Sequence, residues 1–210
     1  EGTHDVVNGQ KMWISNAGFA EIFIVFARIE NDKNITAFIM EFNKNNPNGV
    51  TLGAEENKLG ITSSSTRQVF FADTKIPVEN MLSERGQGFK IALNSLNVGR
   101  IKLAAACLDA SRRVITESVV YANQRVQFKT PIAKFGAIQA KLAEMSMRAF
   151  ASDAGSYRAA KDIQNFIDDL LAKGKTHQEA ELEAFSEYAI EADILKVYGY
   201  ETSQFVMDEG

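Results

Sequence analysis

The sequence predicts an α+β protein, with a β-barrel or sandwich over residues 1–85 and an antiparallel helical bundle over residues 86–210. Three observations lead there. The first 85 positions hold short β-branched and aromatic runs separated by turn-forming residues. From Phe89 onward Ala, Leu and Ile dominate, and residues 89–121 contain no proline and one glycine. Apolar residues then recur at spacings of three and four, the repeat of a helix with one buried face.

Each element has its own signal. Between Asp5 and Ile14, Asn8-Gly9 separates two apolar runs. That dipeptide accepts the positive φ values of a type I′ hairpin turn. Ile22–Ala27 and Ile35–Met40 are dense strand formers, Asn46-Pro-Asn-Gly49 is a turn, and Gln68–Phe71 is a fourth strand. Pro77 and the Gly86/Gly88 pair close the β part. Residues 89–121 then make about nine helical turns. Ile138, Leu142, Met145 and Ala149 predict a second helix after Pro131. Lys173-Gly174-Lys175 ends it, and Thr176 with Glu179 three residues on has the spacing of a capping box. Leu182, Phe185 and Ala189 continue a third helical stripe. Long helices with short connections favour antiparallel neighbours.

Composition excludes several classes. Hydrophobic residues are 45% and charged residues 24%, which rules out a disordered chain. Cys107 is the only cysteine, so neither an internal disulfide nor a cysteine zinc site is possible. His4 and His177 are far apart in sequence, and no metal site is expected. No apolar run approaches the roughly 18 residues of a membrane-spanning helix. Signal and transit patterns are lacking at the N-terminus. The chain starts at Glu1 and stops inside a helical pattern, so it reads as a piece of a longer protein.

Charge is unevenly placed. Residues 87–148 carry ten Lys/Arg against three acids, while residues 149–210 carry five against thirteen. The basic middle suits either a local anionic partner or pairing with the acidic last third of the same chain. An acidic chain overall does not suit nucleic acid.

Five segments, in order, carry a family resemblance: Lys11-Met-Trp-Ile-Ser-Asn16, Lys58-Leu-Gly-Ile-Thr-Ser-Ser-Ser-Thr66, Ile76-Pro-Val-Glu-Asn-Met-Leu82, Arg125-Val-Gln-Phe-Lys-Thr-Pro-Ile132 and Gln139-Ala-Lys-Leu-Ala-Glu-Met145. Together they resemble the acyl-CoA dehydrogenases. The resemblance implies a β middle domain and a helical C-terminal domain, with the family's N-terminal helical domain missing from this chain. It implies FAD as cofactor and α,β-dehydrogenation of an acyl-CoA thioester, with hydride leaving for the flavin. An electron-transfer flavoprotein then takes the electrons. The implied assembly is a homodimer or homotetramer. The implied location is the cytoplasm of a bacterium or the mitochondrial matrix of a eukaryote.

Site residues follow one by one. Trp13 and Ser15 are two apart on a strand and face one side. The resemblance puts Trp13 on the flavin ring, Ser15 in reach of its N5, and the Ile14 main chain at its polar edge. Without the motif, core filling would be the preferred reading of Trp13. Arg125, Gln127 and Phe128 match the family's reach to the FAD of a neighbouring subunit; the alternative for Arg125 is a surface ion pair. Arg100 matches the arginine near the CoA thioester, and Asn97, on the same helix face where the family often has an acid, is expected to bind substrate with it; the alternative for Arg100 is an ion pair with the acidic third. Lys129 stands where the family usually has glycine, and Thr62 where it often has arginine. Gly99 and Phe135-Gly136 resemble the very-long-chain branch, which suits a medium to long acyl chain. No catalytic base is assigned. One family position is occupied by Gly99, and the other lies beyond Gly210. Glu144, Glu187 and Glu191 are expected to be solvated or paired. The 210-residue piece alone is therefore expected to be inactive. Two other readings stand beside this one: an acyl-CoA oxidase or nitroalkane oxidase-like flavoenzyme, and a non-catalytic acyl-CoA-binding relative.

Overall fold

Six strands open the chain: β1 (His4–Ser15), β2 (Ile22–Ala27), β3 (Thr36–Glu41), β4 (Val50–Glu55), β5 (Thr66–Pro77) and β6 (Met81–Leu82). The computed structural model describes residues 2–210. It divides into two units, one running to Ala92 and one from Leu93 to Gly210. In the first unit all strand pairs are antiparallel, in two sheets of order β1-β5-β4 and β2-β3-β6. β2 shows the period of two directly: Phe23 and Val25 are buried, Ile22 and Ile24 exposed. One apolar core joins both sheets, built from Val7, Val69, Phe71 and Ile76 on one and Phe23, Val25, Phe38 and Met40 on the other. Full burial of side chains such as Phe38 or Ile76 contributes about 1.5–3 kcal/mol each.

Asn8-Gly9 is not a hairpin turn. β1 runs through it without reversal, because β5 offers an equally long partner. Between Val7 and Gly9 the pairing shifts, with β5 carrying the extra residue. Asp73 absorbs it at φ 50°, and Asn8 braces the site: its Nδ2 donates to Asp73 Oδ1 at 3.0 Å and its Oδ1 accepts from Asp73 N at 2.8 Å. Asn46-Pro-Asn-Gly49 is a turn, with Val50 N donating to Pro47 O. β4 is a strand that its composition did not announce, since Gly53, Ala54 and Glu55 are poor strand formers.

The helices are α1 (Gly88–Gln124), α2 (Gly136–Ala172), α3 (His177–Glu187) and α4 (Ala189–Glu209). Between α1 and α2 lies a small hairpin of β7 (Val126–Gln127) and β8 (Thr130–Pro131). α2 ends in a Schellman arrangement. Gly174 sits at φ 88°, its N–H donates to Leu171 O, and Lys175 N donates to Leu170 O. The capping box is present: Thr176 Oγ1 accepts from Glu179 N, and Thr176 N donates to Glu179 Oε2 at 3.0 Å. The third predicted stripe is two helices, not one. Tyr188, at φ −92° and ψ 26°, separates α3 from α4, and α3 buries Ala180 and Ala184 while Leu182 stays exposed.

Small residues set the helix contacts in the second unit. Ala104, Ala159 and Leu195 cluster, and Gly199 lies against the Ala104 backbone. α2 and α4 run antiparallel, as Arg148 stacking over the Phe205 ring at 3.9 Å and Gly155 meeting Leu195 show. The basic middle does pair with the acidic third: Arg100 with Asp193, Arg112 with Asp153, and Lys141 with Glu209. No helix among the described residues is long and apolar enough to cross a membrane.

Candidate functional site

The end of β1 is the first candidate. Trp13 lies in a second bulge, where β1 carries the extra residue between Lys11 and Ile14. Its φ is 55°, in the left-handed region that an aromatic residue seldom occupies. Plain strand alternation therefore does not describe Trp13. The bulge re-aims it, and its side chain is 69% exposed. Ser15 is exposed as well, while Ile14 between them packs against the core. β4 bulges at the same level, between Leu52 and Glu55, so both neighbours of β5 bulge opposite Gln68.

A carboxylate holds this end together. Ile14 and Glu55 both pair with Arg67 of β5, from opposite sides. Glu55 Oε1 accepts from Ser65 Oγ at 2.7 Å and from Arg67 Nε at 2.7 Å, and Oε2 accepts from Thr66 N at 3.0 Å. These donors, Ser65 first, lower the Glu55 pKa to about 2. Ser65 reaches back to the chain that follows Ser15: its O accepts from Asn16 N at 2.8 Å and its Oγ from Gly18 N at 3.0 Å. Lys58 fastens the same loop through Ser64 O and Thr66 Oγ1.

The β7–β8 hairpin is the second candidate. Its two-residue tip is Phe128-Lys129, at φ 50° and 61°, the signature of a type I′ turn. Phe128 is 89% exposed, with Phe135 edge-on at 6.4 Å between ring centroids. Arg125 and Gln127 are exposed on the same hairpin. Arg125 has no carboxylate partner among the described residues, and its main-chain O accepts from Ile132 N. The ion-pair alternative for Arg125 is thus not what this structure shows.

Arg100 is different. Its Nε meets Asp193 Oδ1 at 2.9 Å, and its Nη1 donates to Asn97 Oδ1 at 2.6 Å. Asn97 is 5% exposed and donates from Nδ2 to Phe185 O at 2.9 Å. Arg100 therefore has the ion pair with the acidic third, and the Asn97 side chain is spent inside the protein. Glu144 pairs with Arg148 at 2.7 Å, and Glu187 and Glu191 are exposed. Glu55, Ser65, Arg67 and Asp193 were not singled out by sequence. The run of three serines before Thr66 was the one local signal for Ser65; the others are set by pairing between distant segments.

Comparison with known proteins decides the family. Residues 1–74 match the acyl-CoA dehydrogenase middle domain, and residues 86–210 match the acyl-CoA dehydrogenase C-terminal domain. The chain belongs to the acyl-CoA dehydrogenase family. It is 44% identical over 209 residues to a probable acyl-CoA dehydrogenase of Bacillus subtilis, covering 100% of this chain and 34% of that protein. It is 38% identical over 216 residues to the mitochondrial very long-chain specific acyl-CoA dehydrogenase of Macaca fascicularis, covering 99% of this chain and 30% of that one. The crystal structure of an acyl-CoA dehydrogenase complexed with FAD from Bacillus anthracis superposes with a TM-score of 0.87. It shares 40% identity with this chain, over 99% of this chain and 35% of that one. The chain thus spans about a third of the length of these acyl-CoA dehydrogenases.

Proposed function

We propose that this chain is the middle and C-terminal part of an FAD-dependent acyl-CoA dehydrogenase acting on medium to long fatty acyl-CoA thioesters, with an electron-transfer flavoprotein as acceptor. The observation that carries this reading is the exposed indole of Trp13, re-aimed by its bulge and followed by the exposed Ser15. An indole left in the open by a strained backbone is a poor core residue and a good platform for a flat ring. The residues fit the group. Trp13 would stack on it, the Ser15 hydroxyl would supply a hydrogen-bond donor, and the Ile14 main chain would contact its polar edge. Arg125, uncommitted to any carboxylate among the described residues, offers a planar fork for the pyrophosphate of a neighbouring subunit's FAD, with Gln127 beside it and Phe128 for the adenine. When bound, FAD would supply the hydride acceptor that no side chain can provide.

Arg100 is the proposed contact to the acyl-CoA thioester end, and Asn97 enters as the residue that holds it. The chain supplies no base to this proposal: Gly99 has no side chain and Glu144 is paired. The working enzyme is proposed to be a homodimer or homotetramer, in the cytoplasm of a bacterium or the mitochondrial matrix of a eukaryote. Family relatives of both origins support either location.

The test is the visible absorbance of the full-length gene product before and after acyl-CoA thioesters of graded length. Bleaching of a flavin spectrum by medium to long thioesters is expected. A colourless protein, or a coloured one inert to every thioester, ends the proposal. Arg125→Ala should cost FAD retention about tenfold or more and leave chain-length preference in place; the reverse ranking removes Arg125 from the cofactor.

A further inference from the structure

We infer that Glu55 and Ser65 are positioning residues for the Trp13–Ser15 platform, acting on the bound flavin through the backbone they clamp. The inference rests on the flavin reading above and goes beyond it to residues that touch no cofactor. The chain of contacts is short. Glu55 fixes the Ser65 hydroxyl at 2.7 Å, and that hydroxyl accepts the Gly18 N–H at 3.0 Å. Ser65 O takes the Asn16 N–H at 2.8 Å. Asn16 follows Ser15 directly and is itself at φ 65°, so the platform is left-handed on both sides of Ile14–Ser15. Two left-handed non-glycine residues three apart relax unless something outside them holds their geometry. Ser65 is that external restraint, because one residue captures the N–H groups of both Asn16 and Gly18.

Glu55 is placed to make the restraint rigid. It ends β4, pairs with Arg67, and reaches across β5 to the same row as Ile14. Arg67 fills the remaining valence of Oε1 and also donates to Gly53 O at 3.3 Å, inside the β4 bulge. One carboxylate therefore couples the bulge of β4 to the loop that follows the bulge of β1. Space around Gly18 is tight as well: a Cβ there would lie 2.4 Å from Ser65 Oγ. The segment after the platform has one seat, and Ser65 defines it. A ring stacked on Trp13 with a hydrogen bond from Ser15 senses displacements well below an ångström, since hydrogen bonds weaken steeply with misalignment.

The experiment compares Ser65→Ala, Ser65→Thr, Glu55→Gln and Glu55→Asp in the full-length flavoprotein. Readouts are FAD affinity, the shape of the visible flavin bands and the flavin midpoint potential. Ser65→Ala and Glu55→Gln are expected to lower FAD affinity at least tenfold and shift the bands, while Ser65→Thr, which keeps a hydroxyl, restores both. Variants that lose thermal stability yet bind FAD with wild-type affinity, bands and potential overturn the inference and make the network purely structural. If Glu55→Gln does not accumulate folded, Glu55→Asp decides, because it retains charge and withdraws the carboxylate by one methylene. Unchanged flavin properties there overturn the inference equally. A colourless wild-type protein takes down the flavin reading and this inference together; a coloured one with indifferent variants takes down this inference alone.

Discussion

Arg100 donates from Nη1 to Asn97 Oδ1 at 2.6 Å, one helical turn back along α1. Asn97 is the inner member of the pair, because its amide also serves Phe185 O. Asn97→Ala strands the part-buried Phe185 carbonyl and one edge of the guanidinium. The expected loss is about 1–3 kcal/mol, the cost of unsatisfied buried polar groups. Asp193→Asn removes a half-exposed partner and should cost less than about 1 kcal/mol. Urea midpoints at constant slope measure both. Equal losses would mean that the ion pair holds Arg100 as firmly as Asn97 does.

Lys129 sits at φ 61° at the tip of the β7–β8 hairpin. A left-handed conformation costs an L-residue roughly 1–2 kcal/mol, and glycine escapes that cost at the expense of a freer unfolded chain. Lys129→Gly should therefore stabilise the fold by a net of about 0.5–1 kcal/mol. Thermal unfolding of the apoprotein reads this. A fall in midpoint would show that the lysine side chain makes a stabilising contact that outweighs the strain.

The limits of sequence reading fall where pairing is non-local. β2 and β3 were legible as strands because their β-branched and aromatic runs are local, but the buried face was not, since Ile22 and Ile24 are as apolar as Phe23 and Val25. Thr176 and Glu179 were legible because a capping box spans four residues. Asn8-Gly9 misled for the complementary reason. Its dipeptide preference is real, but a twelve-residue partner in β5 outweighed it and turned the site into straight strand beside a bulge. The Trp13 bulge was invisible, since it depends on a register shift against Arg67 and Val69, more than fifty residues away. The same holds for Glu55, whose three donors arrive from the start of β5 and the residue before it, and for Asp193, which meets Arg100 from another helix. The chemical identity of Trp13, Ser15 and Arg125 was readable from their motifs, whereas their exposure and strain required the fold.

The Glu55 carboxyl is held down to about 2 by Ser65, Arg67 and the Thr66 N–H. An unfolded glutamate titrates near 4.3. A depressed folded pKa means that the network's contribution is fully present above the unfolded value and disappears as pH falls through the folded one. The window is therefore about pH 4.5 to 2. Amide exchange at Thr66 and Gly18, compared with core amides such as Val69, should accelerate in that window. Glu55→Gln should show the faster exchange already at neutral pH and little further change on acidification. Pronounced acid sensitivity at those two amides in Glu55→Gln would assign it to another carboxylate.

Gly199 tests the packing of the helical unit. It is buried on α4, and a Cβ there would stand 3.2 Å from Ala104 Cα and 3.5 Å from Ala104 O. Those are backbone atoms, which cannot rotate aside as a long side chain would. Two effects oppose each other on substitution by alanine. Helix propensity favours Ala over Gly by about 0.8–1 kcal/mol, and a single tight contact takes back a similar amount by pushing α4 off α1. Gly199→Ala should therefore lie within about 1 kcal/mol of the parent. Gly199→Leu keeps the propensity gain but adds a branched side chain to a seam of small residues, and overpacking of that kind costs about 1–3 kcal/mol or more. A Leu variant that melts with the parent would mean that α4 is free to move away from Ala104. A large loss already at Ala would mean that neither helix can yield, and that the backbone contact at Ala104 sets the spacing of the bundle.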